Sequence, residues 1–247
     1  MKTSLSAQAR ERLLSHRGEP LFLAGWREAV FLHFAVKPEH LQPFVPFTLD
    51  VRDGMAYVSC VAFTMQRLHP RLGGDWLFKP IATHEFLNVR AYVKHRGESG
   101  IYFLAEWLPK LQAVVLGPAL FGLPYRWGRQ SYQHTSMTQS GWVEDRASNA
   151  ALRYEATTAL TATPHEAVAG SLDEFLVERY TAFTHWYGWK RLFRVWHPPW
   201  QIVPLEARLT DLSLLHRTGA WAEHATFFGA HYAAGFDDVW MSRPCLA

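Results

Sequence analysis

Cysteine is almost missing from this chain. Cys60 and Cys245 are the only two in 247 residues, and two distant thiols make neither a disulfide framework nor a thiolate zinc site. An excess of one charge is missing too. The 25 basic and 22 acidic residues leave a formal +3, with no basic helix and no run of five like charges, which argues against nucleic acid as a partner. No window approaches the ~18–20 apolar residues that cross a bilayer, and the first twenty residues hold no apolar stretch of signal-peptide length. A soluble cytoplasmic protein with no membrane partner is the expectation. Gly-x-Gly-x-x-Gly, Walker and Gly-x-Ser-x-Gly patterns are absent, and no cofactor is expected. The 13 histidines give no His-Glu-x-x-His. His84 with Glu85 and His165 with Glu166 are adjacent pairs, and adjacent strand residues point to opposite faces. No metal site is expected.

Apolar residues, by contrast, are plentiful. They make up 49% of the chain against 19% charged, with 11 tryptophans and 16 phenylalanines, enough for one large core spanning a single domain, 1–247. Helical spacing predicts a short helix over residues 4–17 and the chain's strongest helix over 171–180, where Ser171 caps and Glu174 completes a capping box. Leu116, Leu120 and Leu123 predict a helix ended by Gly122 and Pro124. Elsewhere alternation dominates. A strand follows residue 20, a hairpin turns at Asp53 and Gly54, and a second turns between Arg96 and Gly100. Two strands meet around Ala147 to Ala150, and strands flank the Pro198–Pro199 corner. Few helices among many hairpins, with no βαβ rhythm, predict an α+β fold that is mainly antiparallel β, a sheet or barrel with flanking helices.

The stretch FLNVRAYV, residues 86–93, is unusual. Leu87, Val89, Ala91 and Val93 supply one apolar face, yet Asn88, Arg90 and Tyr92 occupy the other. Such a face meets solvent or lines a cavity. The partner strand offers Tyr102, Leu104 and Glu106 on one face, which suits partial enclosure and gives Arg90 a carboxylate partner. A buried guanidinium is costly unless a carboxylate, a ligand or a network satisfies it, and its planar fork suits carboxylates. Tyr125 and Arg126 add polar groups at a helix end or turn. His197, at the Pro-Pro corner between Trp196 and Trp200, reads as packed aromatic corner or as a proton or hydrogen-bond donor at a cavity rim.

Five ordered segments, PFVPFTLDVRDGMAYVSCVAFTM, FLNVRAYV with SGIYFLAEW, LFGLPYRWG, HPPWQIV and GFDDVW, resemble the bacterial family called domain of unknown function 2071, or YqjF-like. The resemblance covers residues 20–242. It implies the acetoacetate decarboxylase-like fold, a β-barrel with a central cavity. In those decarboxylases a lysine in a Gly-x-Pro-Lys-Lys context forms a Schiff base with a β-keto acid. Here the similar stretch reads Gly122-Leu123-Pro124-Tyr125-Arg126, with both lysines missing. Tyr125 has no amine and Arg126 stays protonated. Lys79, Lys94 and Lys110 lie at a loop, a strand end and a turn, so Schiff-base chemistry is not expected.

The resulting expectation is a cavity that binds a small carboxylate or carbonyl compound. Arg90 holds the acid, Asn88, Tyr92, Tyr102, Tyr125 and Arg126 contribute further contacts, and Glu106, Glu85 and His197 are the acid–base candidates. Two alternatives stay open: a lyase or hydrolase acting on a keto or enol metabolite, and a non-catalytic interaction protein presenting Trp186, Trp189, Trp196 and Trp200. Assembly into a homo-oligomer is open as well.

Overall fold

Runs of β-branched and aromatic residues with period-two alternation form the fold. The computed structural model describes residues 4–247, and the side chains of Leu116 and Trp186 lie outside the described residues. The strands among the described residues are β1 (Phe22–Val36), β2 (Thr48–Leu49), β3 (Ala56–Pro70), β4 (His84–His95), β5 (Glu98–Leu108), β6 (Tyr125–His134), β7 (Thr138–Asp145), β8 (Ala151–Thr158), β9 (His165–Glu166), β10 (Thr181–Trp186), β11 (Trp189–Trp196), β12 (Gln201–Asp211), β13 (Thr226–Met241) and β14 (Cys245–Leu246). Three longer helices flank them: Leu5–Leu14, Leu111–Phe121 and Leu172–Val177. No helix among the described residues is long and apolar enough to cross a membrane.

Five strands in the order β13-β1-β3-β4-β5 form a shared sheet, and two arms close on it. The first arm, β6-β7-β8-β12, completes a closed barrel of nine strands. The second, β10-β11, joins β5 to β13 on the other side and closes a smaller circuit. Both fork points follow from how the edge strands divide their hydrogen bonds. β5 pairs in parallel with β10 at Ile101 and Tyr102, and with β6 from Glu106 to Leu108. β13 pairs with β12 over Ala230–Ala233 and with β11 at Trp240 and Met241.

Two cores result. Leu32, Phe34, Val58, Cys60, Leu87, Val89, Trp107, Leu152 and Tyr154 fill the nine-strand barrel. Phe31, Val61, Phe63, Phe86, Tyr92, Ile101, Phe103, Phe193 and Trp200 form the second core on the other face of the shared sheet. Each fully buried large apolar side chain contributes roughly 1.5–3 kcal/mol. β4 lies inside the shared sheet, so both its faces are buried, and neither meets solvent.

The expected turns form where the sequence places them. Asp53 and Gly54 take φ of +53° and +76°, and Arg96 and Gly97 take +50° and +81°. The strand before Asp53, however, is only β2, and it pairs with β4 instead of its neighbour β3. The 171–180 helix is shorter than its spacing predicts. Ser171 accepts from Glu174 N at 3.1 Å as a cap, but the helix stops at Val177. There the Glu178 carboxylate turns inward to accept from Trp200 N at 2.8 Å and from the Tyr180 hydroxyl. Tyr125 and Arg126, expected at a helix end or turn, instead begin β6, directly opposite Glu106 and Trp107.

Candidate functional site

A pocket of about 150 Å³ lies in the second core, walled by β1, β3, β4, β5, β11 and the Leu111–Phe121 helix. That volume matches a cavity able to hold a benzene-sized molecule. Aromatic rings recur around its wall, among them Phe22, Trp26, Phe63, Phe86, Phe121 and Trp200. β4 contributes its polar groups to the pocket through a single parity. Counting every second residue gives His84, Phe86, Asn88 and Arg90, all facing the pocket, while Glu85, Leu87 and Val89 face the barrel.

Several of these polar atoms are buried without a protein partner: both His84 ring nitrogens, Asn88 Oδ1, Arg90 Nε, Glu106 Oε2 and one Arg179 Nη. Leaving such a group unsatisfied costs about 1–3 kcal/mol each. Arg90 is 7% exposed. Its Nη2 donates to the Leu176 carbonyl at 2.9 Å, and its guanidinium packs 5.5 Å from the Phe31 ring centroid. No carboxylate lies within ion-pair distance of it among the described residues. Arg179 differs, since Asp50 holds it at 3.2 Å.

A β-bulge decides which neighbours Arg90 has. Asn88 pairs with Glu106 and Val89 with Ala105, but Arg90 then pairs with Phe103, so Leu104 is skipped. Extra residues of this kind reverse the facing of everything beyond them. Ile101 and Phe103 therefore line the pocket, whereas Tyr102 and Leu104 turn into the barrel core, Tyr102 against Phe47 at 5.6 Å between centroids. The strand partner does not present Tyr102, Leu104 and Glu106 together, and Glu106 does not pair with Arg90.

Burial sets the protonation of the pocket. Desolvation raises the Glu106 carboxyl well above its usual range, keeping it a neutral acid. Tyr125 is raised by burial first and by the Glu106 charge second. His84 falls to about 4, chiefly by desolvation. The Ile81 carbonyl opposes part of that shift electrostatically, although neither ring nitrogen meets it in hydrogen-bonding geometry. His197 lines the pocket and also falls to about 4 through burial. Its Nδ1 donates to the Pro198 carbonyl at 2.7 Å, so the neutral ring offers Nε2 as an acceptor. The expected donor role at the rim belongs to the imidazolium, which burial disfavours.

Of the residues singled out in the sequence, the pocket thus gathers Asn88, Arg90, Glu106, Tyr125 and His197. Tyr92 shares their face but sits behind Arg90, donating to Leu176 O at 2.7 Å. Glu85 and Arg126 face the other way, Arg126 lying over Trp107 and donating to the Arg217 carbonyl at 2.8 Å. His84 and Arg179 were not anticipated. The β4 alternation, extended back four residues from Asn88, reaches His84; Arg179 lies beyond the early helix stop, which no local pattern reveals. No lysine is among the described residues lining the pocket; Lys94 is held at the surface by Asp50 at 2.9 Å. Trp200 is a pocket wall, Trp196 packs against Trp240 at a tilt with ring centroids 4.4 Å apart, and Trp189 is exposed.

A family model described as an uncharacterized conserved protein, domain of unknown function 2071, matches residues 23–237. The uncharacterized protein YqjF of Bacillus subtilis (strain 168) is 27% identical over 191 residues, covering 75% of this chain and 76% of that protein. Two solved structures share the architecture across nearly the whole chain. An acetoacetate decarboxylase-like enzyme from Sphingomonas wittichii RW1 superposes with a TM-score of 0.62 at 16% identity, covering 91% of this chain and 93% of that one. The enduracididine biosynthesis enzyme MppR, complexed with pyruvate, gives 0.66 at 12% identity, covering 94% and 92%. At these identities the likeness establishes the fold alone, which is acetoacetate decarboxylase-like.

Proposed function

The chain belongs to the family of domain of unknown function 2071, and from that premise we propose that its pocket binds a small carboxylate or carbonyl compound, with Arg90 as the anion anchor. The observation that carries this reading is the set of unpartnered buried polar atoms on an otherwise apolar wall. Arg90 brings a positive charge with no carboxylate of its own, and an oxyanion would complete it with a charge-assisted hydrogen bond, about twice as strong as a neutral one. Asn88 supports a neighbouring carbonyl or hydroxyl. Glu106, neutral and facing Asn88 across the strand pair, is a hydrogen-bond donor to a carbonyl oxygen and the proton-transfer candidate if the bound compound enolises. The pyruvate in a relative of the same fold supports the ligand class.

Schiff-base chemistry is no part of the proposal, because no lysine is among the described residues lining the pocket. The aromatic rings select for a ligand with an apolar portion. Thermal-shift titration with pyruvate and with longer 2-oxo acids tests the reading. Ligand at about a hundredfold its Kd adds ~2.7 kcal/mol of stability, several degrees of Tm for a chain of this length. Arg90→Ala is expected to abolish the shift. Equal shifts in wild type and variant remove Arg90 from the site.

A further inference from the structure

A line of polar side chains crosses the second core from solvent to the back of Arg90. Asp173 Oδ1 lies 3.6 Å from His231 Nε2. His231 Nδ1 lies 3.0 Å from His33 Nε2, and His33 Nδ1 lies 2.7 Å from Ser59 Oγ. Ser59 Oγ is 2.6 Å from the Tyr92 hydroxyl. Tyr92 donates to the Leu176 carbonyl, the same oxygen that accepts from Arg90. His33 and Ser59 are fully buried, whereas the Asp173 side chain is 45% exposed, so protons enter at that end.

The hydrogens along this line have a forced direction. A carbonyl oxygen only accepts, so the single Tyr92 hydrogen is committed to Leu176. The hydrogen between Ser59 and Tyr92 therefore belongs to Ser59. Ser59 has none left for His33, so His33 Nδ1 donates to it. Burial first, then the charges of His231 and Arg90, keep His33 neutral. Its Nε2 is a lone pair, and His231 Nδ1 donates to that. A neutral His231 has then spent its only hydrogen, and its Nε2 lone pair faces the Asp173 carboxylate. A second proton on His231 turns that contact from repulsive to an attractive ion pair. The groups facing His231 are His33 from β1, Asp173 from the Leu172–Val177 helix and His165 from β9. Asp173 favours the imidazolium, while burial and His165 oppose it.

We propose that Asp173 and His231 form a proton-dependent latch on the Leu172–Val177 helix, closed when His231 carries two protons and released when it carries one. This helix presents the Leu176 carbonyl to Arg90, so the latch sets where the guanidinium sits in the pocket. Asp173 and His231 are positioning residues, and their action on the helix is independent of what the pocket binds.

Histidine nitrogen NMR and amide hydrogen exchange on the whole chain test this. The neutral His231 is expected as the Nδ1–H tautomer, and Asp173→Asn, a change at a half-exposed site, is expected to lower the His231 pKa. The Glu178 amide donates to Glu174 O at 2.9 Å at the end of this helix. Its protection, corrected for intrinsic exchange, should fall roughly two- to fivefold from about pH 5 to about pH 8, the worth of a partly exposed ion pair. Asp173→Asn should flatten that dependence. Tyr92→Phe frees the Ser59 hydrogen for His33 Nδ1 and reverses the line, so neutral His231 carries Nε2–H and still turns a positive edge toward Asp173. The latch then stays closed, and the pH dependence disappears there too. A wild-type Nε2–H tautomer, a His231 pKa unmoved by Asp173→Asn, or a pH dependence that survives Tyr92→Phe would each overturn the proposal.

Discussion

Glu106 is 3% exposed, and one of its oxygens has no partner. Because its folded pKa lies above its unfolded value, the folded chain holds the proton over a range where the unfolded chain has released it. Its contribution to stability is complete below about 4.5 and is lost as pH rises through the folded value. Glu106→Gln keeps the shape of the neutral acid but cannot ionise. At about pH 8 the variant is expected to be more stable than wild type by on the order of 1–3 kcal/mol, and the gap should close near about pH 4. Tm measured against pH for the two proteins checks this; parallel curves would mean that Glu106 is ionised at neutral pH. In the sequence, this residue could be placed on a strand beside Arg90. Its lack of a cation could not be seen, because the Arg90 guanidinium is drawn to the Leu176 carbonyl, which the sequence places far away.

The elements carry their own close fits. Gly117 lies in the Leu111–Phe121 helix, where alanine is ordinarily about 1 kcal/mol better than glycine. A Cβ at Gly117 would stand 2.1 Å from the Tyr125 ring, with Phe86 on the ring's other flank at 5.7 Å between centroids. Gly117→Ala is therefore expected to destabilise by about 1–2 kcal/mol despite its propensity, since overpacking outweighs it, and to weaken ligand-induced thermal shifts by driving Tyr125 into the pocket. Chemical denaturation measures the first effect; an increase in stability would show that helix and strand do not meet there. The helix itself was legible, because Gly122, with φ +70°, ends it as the sequence suggests. The bulge at Leu104 was not. Nothing in SGIYFLAEW, an unbroken run free of proline, marks a skipped residue, and the skip arises where β5 changes partner from β10 to β6.

For the whole molecule, three buried histidines shape the acid limb of stability. His84, His134 and His197 each fall to about 4, mainly through burial. Their folded values lie below the unfolded 6.5, so the unfolded chain binds more protons between 6.5 and about 4. The stabilisation is full above 6.5 and is lost as pH falls through that window, at up to about 1.4 kcal/mol per pH unit for each. At about pH 5 these three rings are expected to take up about two to three protons on unfolding, offset in part by the proton Glu106 releases, readable by calorimetry in buffers of different ionisation enthalpy. Uptake of fewer than one would mean that these rings are already charged in the folded protein. His33 shifts in the same direction and adds to the uptake.

Composition and alternation by themselves determined a β-rich α+β fold, its main turns and the mixed character of β4, because side-chain period and turn chemistry are local properties of a chain. They also determined that the position after Pro124 carries no amine. The tertiary structure decided that β4 belongs to two cores at once, that Asn88, Arg90 and Glu106 share one pocket while Tyr102, Glu85 and Arg126 turn away, and that Arg90 has a carbonyl partner and, among the described residues, no carboxylate. Those outcomes rest on where two arms close upon one sheet and on a single bulge. Both are fixed by long-range hydrogen-bond pairing, which leaves no periodic trace in the sequence.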